Sequence, residues 1–268
     1  MGLDLVAMNV NDLIVQGGEP LIFLHYLAFH KLDTEITSQL VKGISDGCLE
    51  ASAALLGGET AEMPAVYAPG DFDMAGFAVG VVERRKLLDG ATIEPGDSVI
   101  GLASSGLHSN GFTLVHHILS KNSAKLSQVM PEFGATLGDE LLRPSRIYVR
   151  SITKLLARYK VKQTVKAMAH ITSGGLPGNL ARILPAGLAV RLKRDAWPVP
   201  PIFHYLQKAG PVDDNEMLDV FNMGIGFVLI VRPTFTKAMM THLRTLGEKP
   251  YFLGKVRKAE GAPAVEWS

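Results

Sequence analysis

An α/β or α+β fold is what this chain predicts, and three features predict it. Residues 3–14 carry apolar side chains at Leu3, Val6, Ala7, Val10, Leu13 and Ile14. That i, i+3, i+4, i+7 spacing places them on one face of a helix. Apolar runs of strand length recur at 19–30, 72–83, 98–103, 165–171 and 226–231, with helical patterns between them, and such alternation builds sheets covered by helices. Neither a repeat of fixed period nor a low-complexity tract interrupts the pattern. Hydrophobic residues make up 47% and charged residues 20% of 268 positions, a globular composition long enough for one large domain or two ordinary ones.

Taken in order, residues 3–16 read as helix, Gly17-Gly18 as its stop, and 19–30 as a long apolar strand. Asp33 or Thr34 caps a second helix that runs to about Ala54. Leu55 to Thr60 reads as a sharp turn at Gly57-Gly58, and Met63 to Asp71, with Pro64, Pro69 and Gly70, as loop. In the strand at 72–83, Gly76 and Gly80 mark close packing or barrel curvature. The polar stretch Arg84 to Asp97 holds Gly90, Pro95 and Gly96 and places a domain boundary there, giving domains 1–90 and 91–268. Next come strand 98–103, a glycine turn, helix 110–119, and a weakly patterned segment to about Leu137. Helix 145–158, strand 165–171, a short helix 178–184, strand 187–193 and helix 200–209 follow. The chain closes with a helical 216–221, strand 226–231, helix 234–246 and strand 251–257.

Charge and composition exclude several functions. Lys plus Arg is 27 against 26 Asp plus Glu, a formal net charge of +1. No basic cluster with interleaved aromatics stands out, so no nucleic-acid partner is expected. The longest clean apolar run near the end, Phe227 to Val231, is far shorter than a membrane span. The start lacks a basic n-region, and Val6 stands where a myristoylation signal wants Ser or Thr. Cys48 is the only cysteine; no internal disulfide can form, which fits a reducing, cytoplasmic location. Walker, nucleophile-elbow, H-E-x-x-H and paired C-x-x-C motifs are absent. His116-His117 lies inside a helix, with the two rings about 100° apart, which argues against a shared metal.

Polar residues beside glycines carry the candidate chemistry. Asn11-Asp12 ends the first helical pattern just before Gly17-Gly18, and oxygens held there suit Mg²⁺ carrying nucleotide phosphates. Asp4, Met8 and Asn11 fall opposite the apolar face, with Asp12 at its edge. Asp4 and Asp12 stand roughly 12 Å apart, too far to share one ion but near enough to line one polar groove. A helix end with a solvated Asp and a Gly cap accounts for the same residues. Gly57-Gly58-Glu59-Thr60 offers unusual backbone angles and a carboxylate, or serves as a structural turn. Ser104 to Gly111 (Ser-Ser-Gly-Leu-His-Ser-Asn-Gly) is a strand-to-helix joint, where free N–H groups attract phosphate. There Ser109 or Asn110 caps the helix and His108 donates a proton or hydrogen bond. His170 to Asn179 (His-Ile-Thr-Ser-Gly-Gly-Leu-Pro-Gly-Asn) repeats the arrangement, and Phe221-Asn222-Met-Gly-Ile-Gly226 precedes a buried strand.

With these turns in order, the chain resembles the aminoimidazole ribonucleotide synthetases, also called phosphoribosylformylglycinamidine cyclo-ligases. The matching stretches are Asp4 to Asp12, Gly57 to Pro64, Ala75 to Gly80, Ser104 to Gly111, Pro144 to Tyr148, Ala169 to Thr172 and Phe221 to Gly226. They span nearly the whole chain in family order. The resemblance implies two α/β domains, the first an ATP-binding domain that joins a twin through a shared β-barrel, the second closing over the ligand. It also implies ATP-dependent ring closure of formylglycinamidine ribonucleotide in purine synthesis, with Mg²⁺ and a homodimer. By position, Asp12 holds Mg²⁺ on the ATP phosphates, helped by Asn11, and Glu59 is a second acid near the nucleotide. His108, Asn110, His170, Thr172 and Asn222 line the ligand site, with Gly57, Gly58, Gly174 and Gly175 as backbone approaches.

This chain departs from the family in several places. Family chains ordinarily begin several dozen residues earlier, with a glycine-rich segment whose Lys helps close the ATP site. Here the chain opens inside a helical pattern, so the first domain is expected to be incomplete and the chain alone to show weak or no activity. Ser173 stands where the family has the first of three glycines, Gly178 where an acidic residue is usual, and Gly18 where Ala is common. Rival expectations are another ATP-using enzyme of the same superfamily (thiamine-phosphate kinase, selenophosphate synthetase or hydrogenase-maturation protein), or an inactive product keeping a dimer or scaffold role. The intact Ser104–Gly111 and Gly57–Pro64 runs favour the cyclo-ligase.

Overall fold

The computed structural model describes residues 1–122, 125–159 and 164–268. The backbone divides into two compact units, Met1–Leu87 with Ile147–Thr153, and Leu88–Arg146 with Lys154–Ser268.

The first unit begins with α1 (Gly2–Ile14), whose Leu5, Val6, Ala7, Val10 and Ile14 are buried as the spacing requires. β1 (Glu19–Phe29) leads into α2 (Thr34–Ala51), and β2 (Ala54–Glu62) and β3 (Phe72–Val81) complete a sheet of order β2-β1-β3. The β1–β2 pair is parallel, with α2 as the crossover, and the β1–β3 pair is antiparallel. Asp33 caps α2, its Oδ1 accepting the N–H groups of Glu35 and Ile36 at 2.9 and 3.0 Å. The helix stops at Ala51, short of the expected Ala54. Ser52 turns left-handed (φ 57°), and the Arg150 guanidinium donates to Leu49 O at 2.7 Å. A side chain about a hundred residues away thus satisfies a helix-end carbonyl, which no local pattern announces.

Residues 55–60 are a correction. They form the middle of β2, and no sharp turn occurs there. Pairing with β1 overrides the turn tendency of the glycines. Gly57, at φ +133°, stands at the register shift opposite Phe23 and Leu24, which is a bulge. At Gly58 a built Cβ would lie 2.2 Å from His25 O and 2.7 Å from its ring. Close packing also explains Gly76 and Gly80, where a Cβ would strike Phe23, Asn9 and Leu13. That face of the sheet lies against α1. The other exposes Leu24, Leu56, Phe77, Val79 and Val81.

In the second unit β4 (Ser98–Ala103) leads to α3 (Phe112–Lys121). The hairpin β5 (Val129–Met130) and β6 (Ala135–Thr136) and α4 (Leu137–Leu141) then occupy the stretch the pattern left weak; its residues 123–124 lie outside the described residues. α5 (Val149–Arg158) is shared between the units and starts four residues later than expected. There follow β7 (Val165–His170), α6 (Gly175–Ala181), β8 (Leu188–Leu192), α7 (Pro201–Ala209), α8 (Asp214–Val220), β9 (Ile225–Val231), α9 (Thr236–Thr245), β10 (Pro250–Lys258) and the unforeseen β11 (Ala264–Trp267). The strands make a sheet of order β11-β8-β10-β4-β9-β7, antiparallel except for β11 beside β8. Every residue of β7 and β9 is buried. Val99, Val190, Val228, Ile230 and Leu253 pack with Leu176 and Leu180 of α6, while α3, α7 and α8 enclose a second cluster around Phe203 and Phe221.

α6 starts three residues earlier than expected. Gly174 (φ 93°) precedes it, and its carbonyl accepts the Gly178 N–H at 2.8 Å. Pro177 therefore sits in the first turn, where a missing N–H costs nothing. Within this buried sheet, Lys166 Nζ lies 2.9 Å from the buried Asp97 carboxylate and 2.7 Å from that of Glu94. Among the described residues no helix is long and apolar enough to cross a membrane.

Candidate functional site

The first unit holds Asn11, Asp12, Gly57, Gly58 and Glu59. Asn11 does not share the exposed face expected of it. Its side chain is fully buried, and Oδ1 accepts the Tyr148 N–H at 3.0 Å. The returning segment 147–153 covers that side of α1, and Asn11 fixes the segment there. Asp12 is exposed at the last turn of α1. Glu59 is exposed on the edge strand β2, with Oε1 accepting the N–H of Thr60 at 2.9 Å. Among the described residues no three His, Cys, Asp or Glu side chains group to hold a metal. An exposed carboxylate suits Mg²⁺ all the same. That ion keeps several waters and binds through one or two carboxylates plus phosphate oxygens, without an all-protein cage.

In the second unit, two loops at strand ends are tied to each other and to the approach to β9. Asn222, almost fully buried, donates through Nδ2 to Gly106 O and Leu107 O at 2.9 and 3.0 Å. Its Oδ1 accepts from Gly224 N at 2.7 Å and from Ser104 Oγ at 3.1 Å. Its amide is spent on holding the loop after β4. His108 adopts a left-handed backbone (φ 58°) and is buried. Its Nε2 accepts the N–H groups of Ser105 (3.2 Å) and Arg146 (3.4 Å). An accepting Nε2 places the ring proton on Nδ1. The imidazole thereby joins the 104–108 loop to 144–146.

Neither Ser109 nor Asn110 caps α3, contrary to expectation. The helix begins after Gly111 (φ 83°) with no side-chain cap, because both residues have tertiary partners. Ser109 Oγ meets Ser145 Oγ at 3.2 Å, and Asn110 Oδ1 accepts from Ser173 Oγ at 3.2 Å. Ser173, a departure from the expected glycine, thus links the loops after β4 and β7. His170 is buried at the end of β7. Thr172 Oγ1 lies 3.4 Å from Asn179 Oδ1, and Asn179 Nδ2 donates to the carbonyls of Thr172, Ser173 and Gly175 at 3.2, 3.3 and 2.8 Å. Gly175 (φ 55°) is a packing glycine, since a Cβ there would lie 1.8 Å from Leu218 O. A Cβ built on Gly174 would meet nothing nearer than 3.5 Å. So the structure brings Asn110, Thr172 and the 172–175 loop together, and gives Asn222 and His108 bonds that hold the 104–108 loop.

Two side chains were given no role in the sequence, although Asn179 closes the 170–179 motif. Asn179 organises the loop, and Arg182, one turn on, donates from Nη1 to its Oδ1 at 3.3 Å. The spacing of Asn179 and Arg182, three apart after a glycine pair, was the available signal.

The fold is shared with solved hydrogenase maturation proteins and a thiamine-monophosphate kinase. A hydrogenase maturation protein HypE solved in complex with ATP matches 100% of this chain and 79% of its own, with TM-score 0.72 at 19% identity. A thiamine-monophosphate kinase from Stenotrophomonas maltophilia matches 100% and 79%, with TM-score 0.72 at 17% identity. Sequence narrows this further. Residues 1–82 match the N-terminal domain, and 94–265 the C-terminal domain, of the AIR synthase related proteins. A phosphoribosylformylglycinamidine cyclo-ligase of Desulfitobacterium hafniense is 52% identical over 256 residues, 96% of this chain and 74% of that protein. One from Citrifermentans bemidjiense is 49% identical over 261 residues, 97% and 74%. The chain belongs to the AIR synthase family.

Proposed function

We propose that the chain closes the imidazole ring of 5-aminoimidazole ribonucleotide from formylglycinamidine ribonucleotide at the expense of ATP, in purine biosynthesis. The observation that carries this is the identity of about half over nearly the whole chain to cyclo-ligases. A formamide carbonyl is a poor electrophile. Transfer of the γ-phosphoryl group to its oxygen releases ADP and creates a leaving group. The amidine nitrogen then attacks the formyl carbon, the oxygen departs as inorganic phosphate, and nitrogen loses a proton. Positioning and charge neutralisation do most of the work in such steps.

In the first unit Asp12 is the residue we assign to Mg²⁺, which when bound neutralises phosphate charge. Glu59 is a second acid, and Asn11 holds the Asp12 turn through Tyr148. In the second unit Asn110, His170, Thr172 and Gly174 are the candidates for ligand contact, with His108 and Asn222 keeping their loops in shape. The first unit's domain is the one assigned to ATP binding and pairing, and its bare apolar sheet face supports a homodimer. A cytoplasmic setting accords with a lone buried Cys48, whose thiol burial pushes up to about 11. Incubating the purified chain with formylglycinamidine ribonucleotide, ATP and Mg²⁺ should yield aminoimidazole ribonucleotide by mass spectrometry, with one ADP per product, even if only at the weak rate expected of the chain alone. A folded chain that makes none refutes the proposal. Asp12→Ala should abolish ATP-dependent turnover while leaving the circular dichroism melt unchanged; near-normal turnover would remove the metal role.

A further inference from the structure

Four of the nine arginines in the second unit pair with carboxylates, Arg191 among them. Arg143 pairs with Glu140, Arg146 lies 3.1 Å from the Glu248 carboxylate, and Arg257 pairs with Glu266. Arg182 differs. Like Arg158, Arg194, Arg232 and Arg244 it has no carboxylate within ion-pair distance among the described residues, but its guanidinium is bonded to the neutral Asn179 amide, which holds the 172–175 loop. That amide also holds the carbonyls of Thr172, Ser173 and Gly175, so one residue fixes both the loop and the guanidinium beside it.

The backbone next to Arg182 is open. A Cβ built on Gly174 would lie 3.9 Å from Arg182 Nη2, and one built on Gly178 meets nothing within 4 Å. Gly111, Gly175 and Gly224, by contrast, have a Cβ contact of 2.5 Å or less and are needed for packing. Gly174 and Gly178 leave a gap on the helix face that Arg182 shares, since 178 and 182 stand one turn apart. An acidic side chain at 178, which the family resemblance leads one to expect, would form an i, i+4 pair with Arg182 and neutralise it. Glycine leaves the guanidinium to an outside anion.

We propose that Arg182 is a phosphate-binding residue of the second unit, gripping a phosphate group in the gap over Gly174 and Gly178. A guanidinium presents five donors in a planar fork matched to phosphate oxygens, and only one is used on Asn179. Ser173 and Thr172 place hydroxyls on the same loop. The proposal rests on the cyclo-ligase reading for its two sources of phosphate, the ribose 5-phosphate of the substrate and the polyphosphate of the nucleotide.

Calorimetric titration with inorganic phosphate, ribose 5-phosphate and ATP tests it on the full chain and on Arg182→Ala, Arg182→Lys and Gly178→Glu, each checked for an unchanged thermal melt. Losing charge-assisted bonds to phosphate should raise Kd at least about tenfold in Arg182→Ala and Gly178→Glu, with Arg182→Lys between. Arg244→Ala, a surface control on α9, should bind as the parent does. A loss confined to ribose 5-phosphate assigns the substrate's phosphate, and one confined to ATP the nucleotide's. Equal affinity in the parent and Arg182→Ala, or no binding of any probe by the parent, overturns the proposal. Turnover of formylglycinamidine ribonucleotide separates the two claims. Turnover with an Arg182-independent Kd sinks Arg182 alone, whereas Arg182-dependent binding without turnover sinks the ring-closure reading alone.

Discussion

The two units bury their sheets differently. In the second, β7 and β9 are buried along their whole length, and clusters of apolar side chains fill the spaces under the helices. In the first, the sheet is covered on one side by α1 and bare on the other, where Phe77 is 59% and Leu56 62% exposed. Contiguous apolar surface of this kind marks an interaction site. The second unit therefore buries β7 and β9 on both faces, and the first leaves one face of its sheet open. Their glycines differ accordingly. On α2, Gly43 and Gly47 let α1 approach so closely that a Cβ at 47 would lie 2.9 Å from Val6, and the helix pair becomes a thin cover for one sheet face. In the second unit Gly101 and Gly254 serve strand packing, and Gly111, Gly175 and Gly224 sit at loops, where they take positive φ against Phe221, Leu218 and Pro200.

The largest effect should come from inside the second unit's sheet. Lys166 is 1% exposed and the Asp97 carboxylate fully buried. Lys166→Met leaves that carboxylate buried without its cation, which costs about 3–5 kcal/mol, read as a fall in the urea midpoint. Adding Asp97→Asn should restore most of the loss; a double variant as unstable as the single would show that packing, and not charge, is at stake. The Glu94 link has a pH signature. Its hydrogen bond to Lys166, and then the charge of Lys166, hold its carboxyl below 4.5. Its contribution is present above 4.5 and fades as pH falls through the lowered folded value.

A smaller effect on stability, but a decisive one on assembly, is expected on the bare face. Phe77→Glu puts a charge opposite Leu24, its cross-strand neighbour on β1. An exposed site should change the unit's stability by no more than about 0.5 kcal/mol. Sedimentation velocity should show a dimer in the parent and a monomer in the variant. A parent that stays monomeric, or a variant that still dimerises, removes the pairing role from this face and leaves the two units alike in needing no partner.

Much of this was legible in the sequence, for local reasons. The period of α1, the Asp33 cap and the apolar runs at β4, β7 and β9 follow from local spacing and composition, and those elements stand where expected. What escaped depends on partners distant in the chain. Gly57-Gly58 reads as a turn until β1 supplies a parallel partner. Ser109 and Asn110 read as caps until Ser145 and Ser173 engage them. Asn11 reads as a polar-face residue until Tyr148 returns to cover it. The candidate site was legible as a set of loops in order, whereas the division between supports such as Asn222 and outward residues such as Arg182 needed the hydrogen bonds.

The smallest effect returns to the first unit and asks how tightly its thin cover excludes water. His25 lies between Gly58 and Gly76 on the neighbouring strands, and its buried Nδ1 has no hydrogen-bond partner among the described residues. Burial lowers its pKa from 6.5, because a charged imidazole there would lose hydration. The unfolded chain then binds the proton more readily than the folded one. His25's penalty is absent above about pH 6.5 and grows as pH falls from there toward the lowered folded value. His25→Leu removes that titration. The difference in unfolding free energy between parent and variant should be level from pH 8 to 7 and should move against the parent from pH 6.5 downward. The other seven histidines are common to both proteins, so the difference isolates this one. A difference that stays level would mean water reaches the ring, and that the first unit's covered face is no better sealed than its bare one.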